Sequence, residues 1–103
     1  MTVRHNKDRG KEPYVVDIES KTLANDNFRT TLWTGAHLQL TLMSIPVGGD
    51  IGLEVHPKND QFLRIEQGTG RAEFGSTEDR VEETHDVEDD WAILVPAGTW
   101  HNV

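Results

Sequence analysis

Four side chains able to ligate a metal stand at short, ordered intervals: Glu54 and His56 two apart, Gln61 five further on, and His101 in Pro96-Ala97-Gly98-Thr99-Trp100-His101. A carboxylate, two imidazoles and an amide oxygen suit a divalent ion such as Mn, Fe, Ni or Zn better than Ca, and do not choose among the four. Such an ion acts as a Lewis acid on a carbonyl or hydroxyl group, or binds dioxygen where it is Fe or Ni. Each residue also has a plain reading: His56 precedes Pro57 as a loop histidine would, Gln61 could satisfy a backbone group, and Glu54 suits the surface of an acidic chain. It is the joint spacing that argues for a metal. Lys58 and Asp60 fall in the turn between ligands, and Trp100 adjoins His101, so these three are expected to line a substrate pocket. No residue declares itself as a general base, although Glu54 would serve if it were not a tight ligand. His5, His37 and His85 have no such framework and read as surface residues, and the acidic run Glu82–Asp90 lacks the pattern of a calcium loop.

These side chains need strands to hold them. Leu38-Gln39-Leu40-Thr41-Leu42 alternates apolar and polar residues with the period of a strand. Pro46 ends that segment, and Gly48-Gly49-Asp50 makes a turn. In the next segment Ile51, Leu53 and Val55 share one face, with Gly52, Glu54 and His56 on the other. Gln61, Leu63 and Ile65 share a face of the strand after it, and a short turn is expected to fold that strand back beside the first, so that Glu54, His56 and Gln61 meet on one hairpin. Trp91-Ala92-Ile93-Leu94-Val95 is a further apolar strand, stopped by Pro96. Tyr14–Ile18, Phe28–Trp33 and Arg71–Phe74 also read as strands, Glu19–Asn27 reads as a loop, and no stretch shows convincing helical spacing. Many short strands separated by Gly and Pro imply an all-β barrel or sandwich.

On these residues the chain resembles a cupin. Gly48, five residues, Glu54, one residue, His56, four residues, Gln61, six residues and Gly68 reproduce the spacing of the family's first motif, and Pro96, Gly98 and His101 meet its second. The resemblance implies a double-stranded β-helix, the jelly-roll or cupin barrel, in one domain over residues 14–103 after a flexible arm over residues 1–13. It also implies a divalent metal on Glu54, His56, Gln61 and His101. Its activity would then be isomerisation of a sugar or keto acid, dioxygenase-type chemistry, or binding of such a ligand without turnover. Three departures stand out. Glu54 replaces the usual first His and Gln61 the usual Glu, which together leave the formal ligand charge at minus one. Asp90 replaces the second motif's opening Gly, and the chain ends at Val103, ahead of the motif's closing Asn and of the family's usual final strands. Strands lost there would leave sheet edges open, so a second subunit, as in a homodimer, is expected to cover them.

Composition narrows the alternatives. With 10 Lys and Arg against 18 Asp and Glu, the net charge of −8 disfavours nucleic acid and anionic lipid as partners. A chain of 103 residues without cysteine excludes disulfides and thiolate metal sites. The charged start, with no apolar run, points to a cytoplasmic protein with a small-molecule substrate and no membrane contact.

Overall fold

The computed structural model describes residues 8–103. It is built from seven strands and one short helix, and divides into two compact units, Met1–Ile45 and Pro46–Val103. The first seven residues of the expected N-terminal arm, His5 among them, lie outside the described residues.

In the first unit, α1 (Ile18–Ala24) occupies part of the segment expected to be a loop, and Tyr14–Val16 forms no strand. The helix starts where Asp17 caps it, its carboxylate accepting the N–H of Ser20 at 3.1 Å. With seven residues and none buried, it has no apolar stripe for a periodicity argument to find. β1 (Arg29–Thr34) pairs antiparallel with β2 (Gln39–Met43), with a register shift between Thr31 and Trp33. Leu32 and Leu42 are buried on this ribbon. Residues 8–12 run beside β1: Arg9 donates its N–H to the carbonyl of Leu32 at 2.7 Å, and Asp8 accepts from both the hydroxyl and the N–H of Thr34. The Thr34 hydroxyl is the main cause that holds the Asp8 carboxyl below its ordinary range.

The second unit carries the site. β3 (Gln61–Arg64) pairs antiparallel with β6 (Ala92–Val95), and β4 (Thr69–Gly75) lies between β5 (Glu83–Glu88) and β7 (Trp100–Asn102). The core of the unit is Ala72, Val87, Ile93 and Val95, with Leu63, Ile65, Phe74 and Val103 packed on it, so the inner faces of both sheets meet there. Each such aliphatic side chain contributes on the order of 1.5–3 kcal/mol by leaving water. The alternation that buries Ile93 and Val95 turns Leu94 outward, opposite Phe62. The Gly75–Glu82 turn closes through Ser76, whose hydroxyl and N–H both hold the Glu82 carboxyl below its ordinary range.

One expectation is corrected here. The segment expected to form a hairpin with β3 instead lies along the free side of β7: Ile51 N–H donates to Val103 O at 3.0 Å, and Glu54 and His101 exchange bonds of 3.0 and 2.9 Å. β3 has β6 as its ladder partner because its inner residues, Leu63 above all, lie opposite Ile93 and Val95 in the core. β7 is therefore flanked on one side by β4 and on the other by residues 51–54.

Asp90 explains its own departure from the family motif. Its φ is +72°, in the left-handed region where glycine is at ease and Asp is tolerated. There its carboxylate accepts from Arg64 Nη2 at 2.7 Å and its N–H donates to Ile65 O at 2.8 Å. Asp90→Gly is expected to leave the denaturant midpoint nearly unchanged, because relief of roughly 1 kcal/mol of backbone strain offsets an exposed ion pair worth less than about 1 kcal/mol. Asp90→Val, β-branched and without the carboxylate, should cost about 2 kcal/mol or more by the same measurement. Equal midpoints for the two variants would mean that the left-handed turn is not what selects the residue.

Candidate metal centre

His101 is the most deeply buried large side chain among the described residues, at 1% exposure. Its place follows from β7: alternation turns Trp100 and Asn102 to one face and His101 to the other, and the backbone bonds with Glu54 set the two residues directly opposite. The ring is oriented by its neighbour, since Nδ1 lies 3.1 Å from the carbonyl oxygen of Thr99. A carbonyl only accepts, so Nδ1 carries the proton and, in the neutral ring, Nε2 presents a lone pair. That Nε2 is buried and has no hydrogen-bond partner among the described residues. A buried polar atom left unpaired costs about 1–3 kcal/mol, which makes it a signal.

What lies beside it is a carboxylate and a second imidazole. Glu54 Oε1 is 3.6 Å from His101 Nε2 and 3.4 Å from His56 Nε2, and the two rings stand 5.9 Å apart between centroids. The ligand atoms of Glu54, His56 and His101 all fall within 4.8 Å of one another. Bonds of about 2.0–2.2 Å to one ion would set neighbouring donors roughly 3–3.5 Å apart, so the three groups need little movement to share it. Burial is uneven, with side-chain exposures of 1% for His101, 29% for Glu54 and 38% for His56. The cluster is thus closed behind His101 and open along Glu54 and His56.

Gln61 begins β3, where it pairs with Val95, one residue before the Pro96 turn. Its Oε1 is likewise buried with no hydrogen-bond partner among the described residues. Two of the four expected donors are therefore orphaned acceptors in the same unit, and the donor set fits a divalent transition ion.

The three residues expected around a substrate part company. Lys58 is exposed. Asp60 is also exposed, but its Oδ1 accepts the N–H of Ala97 at 2.9 Å. Trp100 faces away from His101 and lines a separate surface groove of about 260 Å³ with Leu53, Phe74 and Asn102. Phe62 and Trp91, also considered as pocket walls, are 65% and 49% exposed. His37 and His85 lie on the surface as expected. Two contributors escaped the sequence reading: the Thr99 carbonyl that orients His101, and the Asp60 bond to the second-motif turn. The first is a backbone group without sequence identity, and the second joins residues 37 apart.

Comparison with known proteins identifies the family. The chain is 58% identical over 97 residues to an uncharacterised protein, YrkC, of Bacillus subtilis, covering 94% of this chain and 52% of that one. It is 42% identical over 90 residues to an uncharacterised protein of Acanthamoeba polyphaga mimivirus, covering 87% of this chain and 54% of that one. The chain thus spans about half the length of the curated relatives it matches. A crystal structure of a Bacillus halodurans protein matches with a TM-score of 0.90 at 58% identity, over 92% of this chain and 72% of that one. The model of the cupin domain matches residues 41–103, which include Glu54, His56, Gln61 and His101, and with its strand-rich jelly-roll fold this chain belongs to the cupin family.

Proposed function

We propose that the protein is a metal-dependent small cupin acting on a small polar substrate, with Glu54, His56, Gln61 and His101 as ligands of one divalent Mn, Fe, Ni or Zn ion. The observation that carries this reading is the buried, unpartnered Nε2 of His101, oriented by Thr99 and set 3.6 Å from the Glu54 carboxylate. When bound, such an ion supplies Lewis acidity toward a carbonyl or hydroxyl group, or a site for dioxygen. The chain's own residues do the rest. His101 closes the rear of the site against water, Gln61 would add its buried amide oxygen as a further donor, and the carboxylate of Glu54 would balance part of the ion's charge between the two imidazoles. Substrate would enter beside Glu54 and His56, the more exposed side of the cluster. Sugar or keto-acid isomerisation and dioxygenase-type chemistry both suit that arrangement.

One observation favours a second reading, a binding cupin without turnover. Outside the ligand set, no described contact joins Lys58 or Asp60 to Glu54, His56 or His101, and Asp60 Oδ1 is engaged with Ala97. Metal-dependent consumption of a sugar or keto acid selects the enzyme, and retention of the same compound unchanged selects the binder. For both, elemental mass spectrometry of protein purified without added ions should find a transition metal. His56→Ala should retain at least roughly tenfold less, because loss of a direct ligand exceeds the cost of losing an outer support. Metal content equal to that of the parent would remove His56 from the site.

A further inference from the structure

Asp60 meets the turn that leads into His101. Its Oδ1 accepts the N–H of Ala97 at 2.9 Å, and one residue later the N–H of Gly98 donates to the carbonyl of His56, also at 2.9 Å. These two bonds hang the Pro96–Thr99 turn from the loop that carries His56. The turn is closed by Thr99 N–H to Pro96 O at 3.2 Å, with Gly98 in the left-handed region at φ +82°. Thr99 is the last residue of that turn, and its carbonyl fixes the ring of His101 through Nδ1. A continuous path therefore runs from the Asp60 carboxylate through the turn to the orientation of the His101 lone pair.

We propose that Asp60 is a positioning residue, a clamp that holds the second-motif turn in register with the His56 loop so that Nε2 of His101 stays aimed at the Glu54 carboxylate. The proposal rests on the metal reading above. It assigns Asp60 a task besides any contact with substrate, because Oδ1 is engaged by the backbone N–H of Ala97. The role belongs to the oxygen as an acceptor and not to the charge, which is what makes it testable. Asn keeps an acceptor oxygen at the same place and loses the charge, whereas Ala loses both. The exposed Ala97 N–H can turn to water when the clamp is gone, so the variants should still fold.

The test titrates Zn²⁺ into the metal-free full chain as parent, Asp60→Ala and Asp60→Asn, alongside amide hydrogen exchange at Ala97. Asp60→Ala should bind zinc roughly tenfold more weakly, the lower end of what an outer support contributes, and its Ala97 amide should exchange faster. Asp60→Asn should return both to within about twofold of the parent, because its amide oxygen accepts the same bond. Zinc affinity in Asp60→Ala equal to that of the parent would overturn the clamp. So would an Asp60→Asn variant as weak as Asp60→Ala with slow Ala97 exchange retained, since the carboxylate would then act by charge. If the parent itself takes up neither zinc nor, in the same titration, Mn²⁺, Fe²⁺ or Ni²⁺, the metal reading fails. The clamp is then judged on exchange alone, with an Ala97 amide unchanged in Asp60→Ala overturning it and faster exchange rescued by Asn upholding it.

Discussion

Replacing His101 by Ala is expected to abolish metal-dependent stabilisation altogether. In the parent, an ion at about 100 times its dissociation constant stabilises the native state by about 2.7 kcal/mol, because it binds the folded chain and not the unfolded one. For a domain of this size that corresponds to a rise in Tm of roughly 10–20 °C over the chelator-treated protein. His101 is only 1% exposed, so Ala also leaves a cavity, at a cost of about 2–4 kcal/mol that has nothing to do with metal. His101→Leu separates the two effects. Leucine fills most of the volume and removes the unpartnered nitrogen, at the expense of the bond to Thr99 O, so the metal-free Leu variant should lie within about 1.5 kcal/mol of the parent. It should show no shift in Tm between added Mn²⁺ or Zn²⁺ and chelator. A Leu variant that keeps the parent's metal-dependent shift would remove His101 from the ligand set, however well placed it looks.

The second large effect changes sign with metal. Gln61→Glu puts a carboxylate where a neutral amide oxygen is now buried and unpaired. Without metal, the variant should lose about 1–3 kcal/mol of stability, because a buried oxygen that lacks a donor is costly and a charged one more so. With metal, the formal ligand charge goes from minus one to minus two, and attraction for a divalent ion grows accordingly; roughly tenfold tighter binding corresponds to only about 1.4 kcal/mol of added interaction. Chemical denaturation of parent and variant, each with chelator and with saturating Mn²⁺, gives the four numbers required. Gln61→Leu should do the reverse, matching or exceeding the parent without metal and binding metal more weakly. A Glu variant destabilised equally in both conditions would show that Gln61 is buried for reasons unrelated to an ion.

The legible part of the site was its spacing. Alternation along a strand sets residues two apart on one face, so Glu54 and His56 could be paired on paper, and Gly48, at positive φ, lies in the turn expected there. The face assignment along β3 also held, since Leu63 and Ile65 pack on the core while Phe62 points outward. What spacing cannot supply is the identity of the neighbouring strand. Glu54 was expected beside Gln61 on a hairpin and in fact faces His101, 47 positions away, because residues 51–54 lie against β7 while β3 pairs with β6. Asp60 shows the same limit from the other side: its Oδ1 accepts a backbone N–H 37 residues away, a contact its residue type could not announce. The helix was missed for a local reason, namely that seven residues with none buried have no hydrophobic period. Its Asp17 cap was the signal available to a reader.

By itself, then, the order of residues determined the strand-rich architecture, the cupin resemblance and the four candidate ligands, because hydrophobic period, turn chemistry and motif spacing are all properties of neighbours along the chain. Only the tertiary structure decided that Glu54 and His101 are ladder partners, that the lone pair of His101 is buried without a partner, and that Asp60 ties down a turn. Those outcomes depend on which strands bury their apolar faces together, and that choice is made by the packing of the whole unit between residues far apart in sequence.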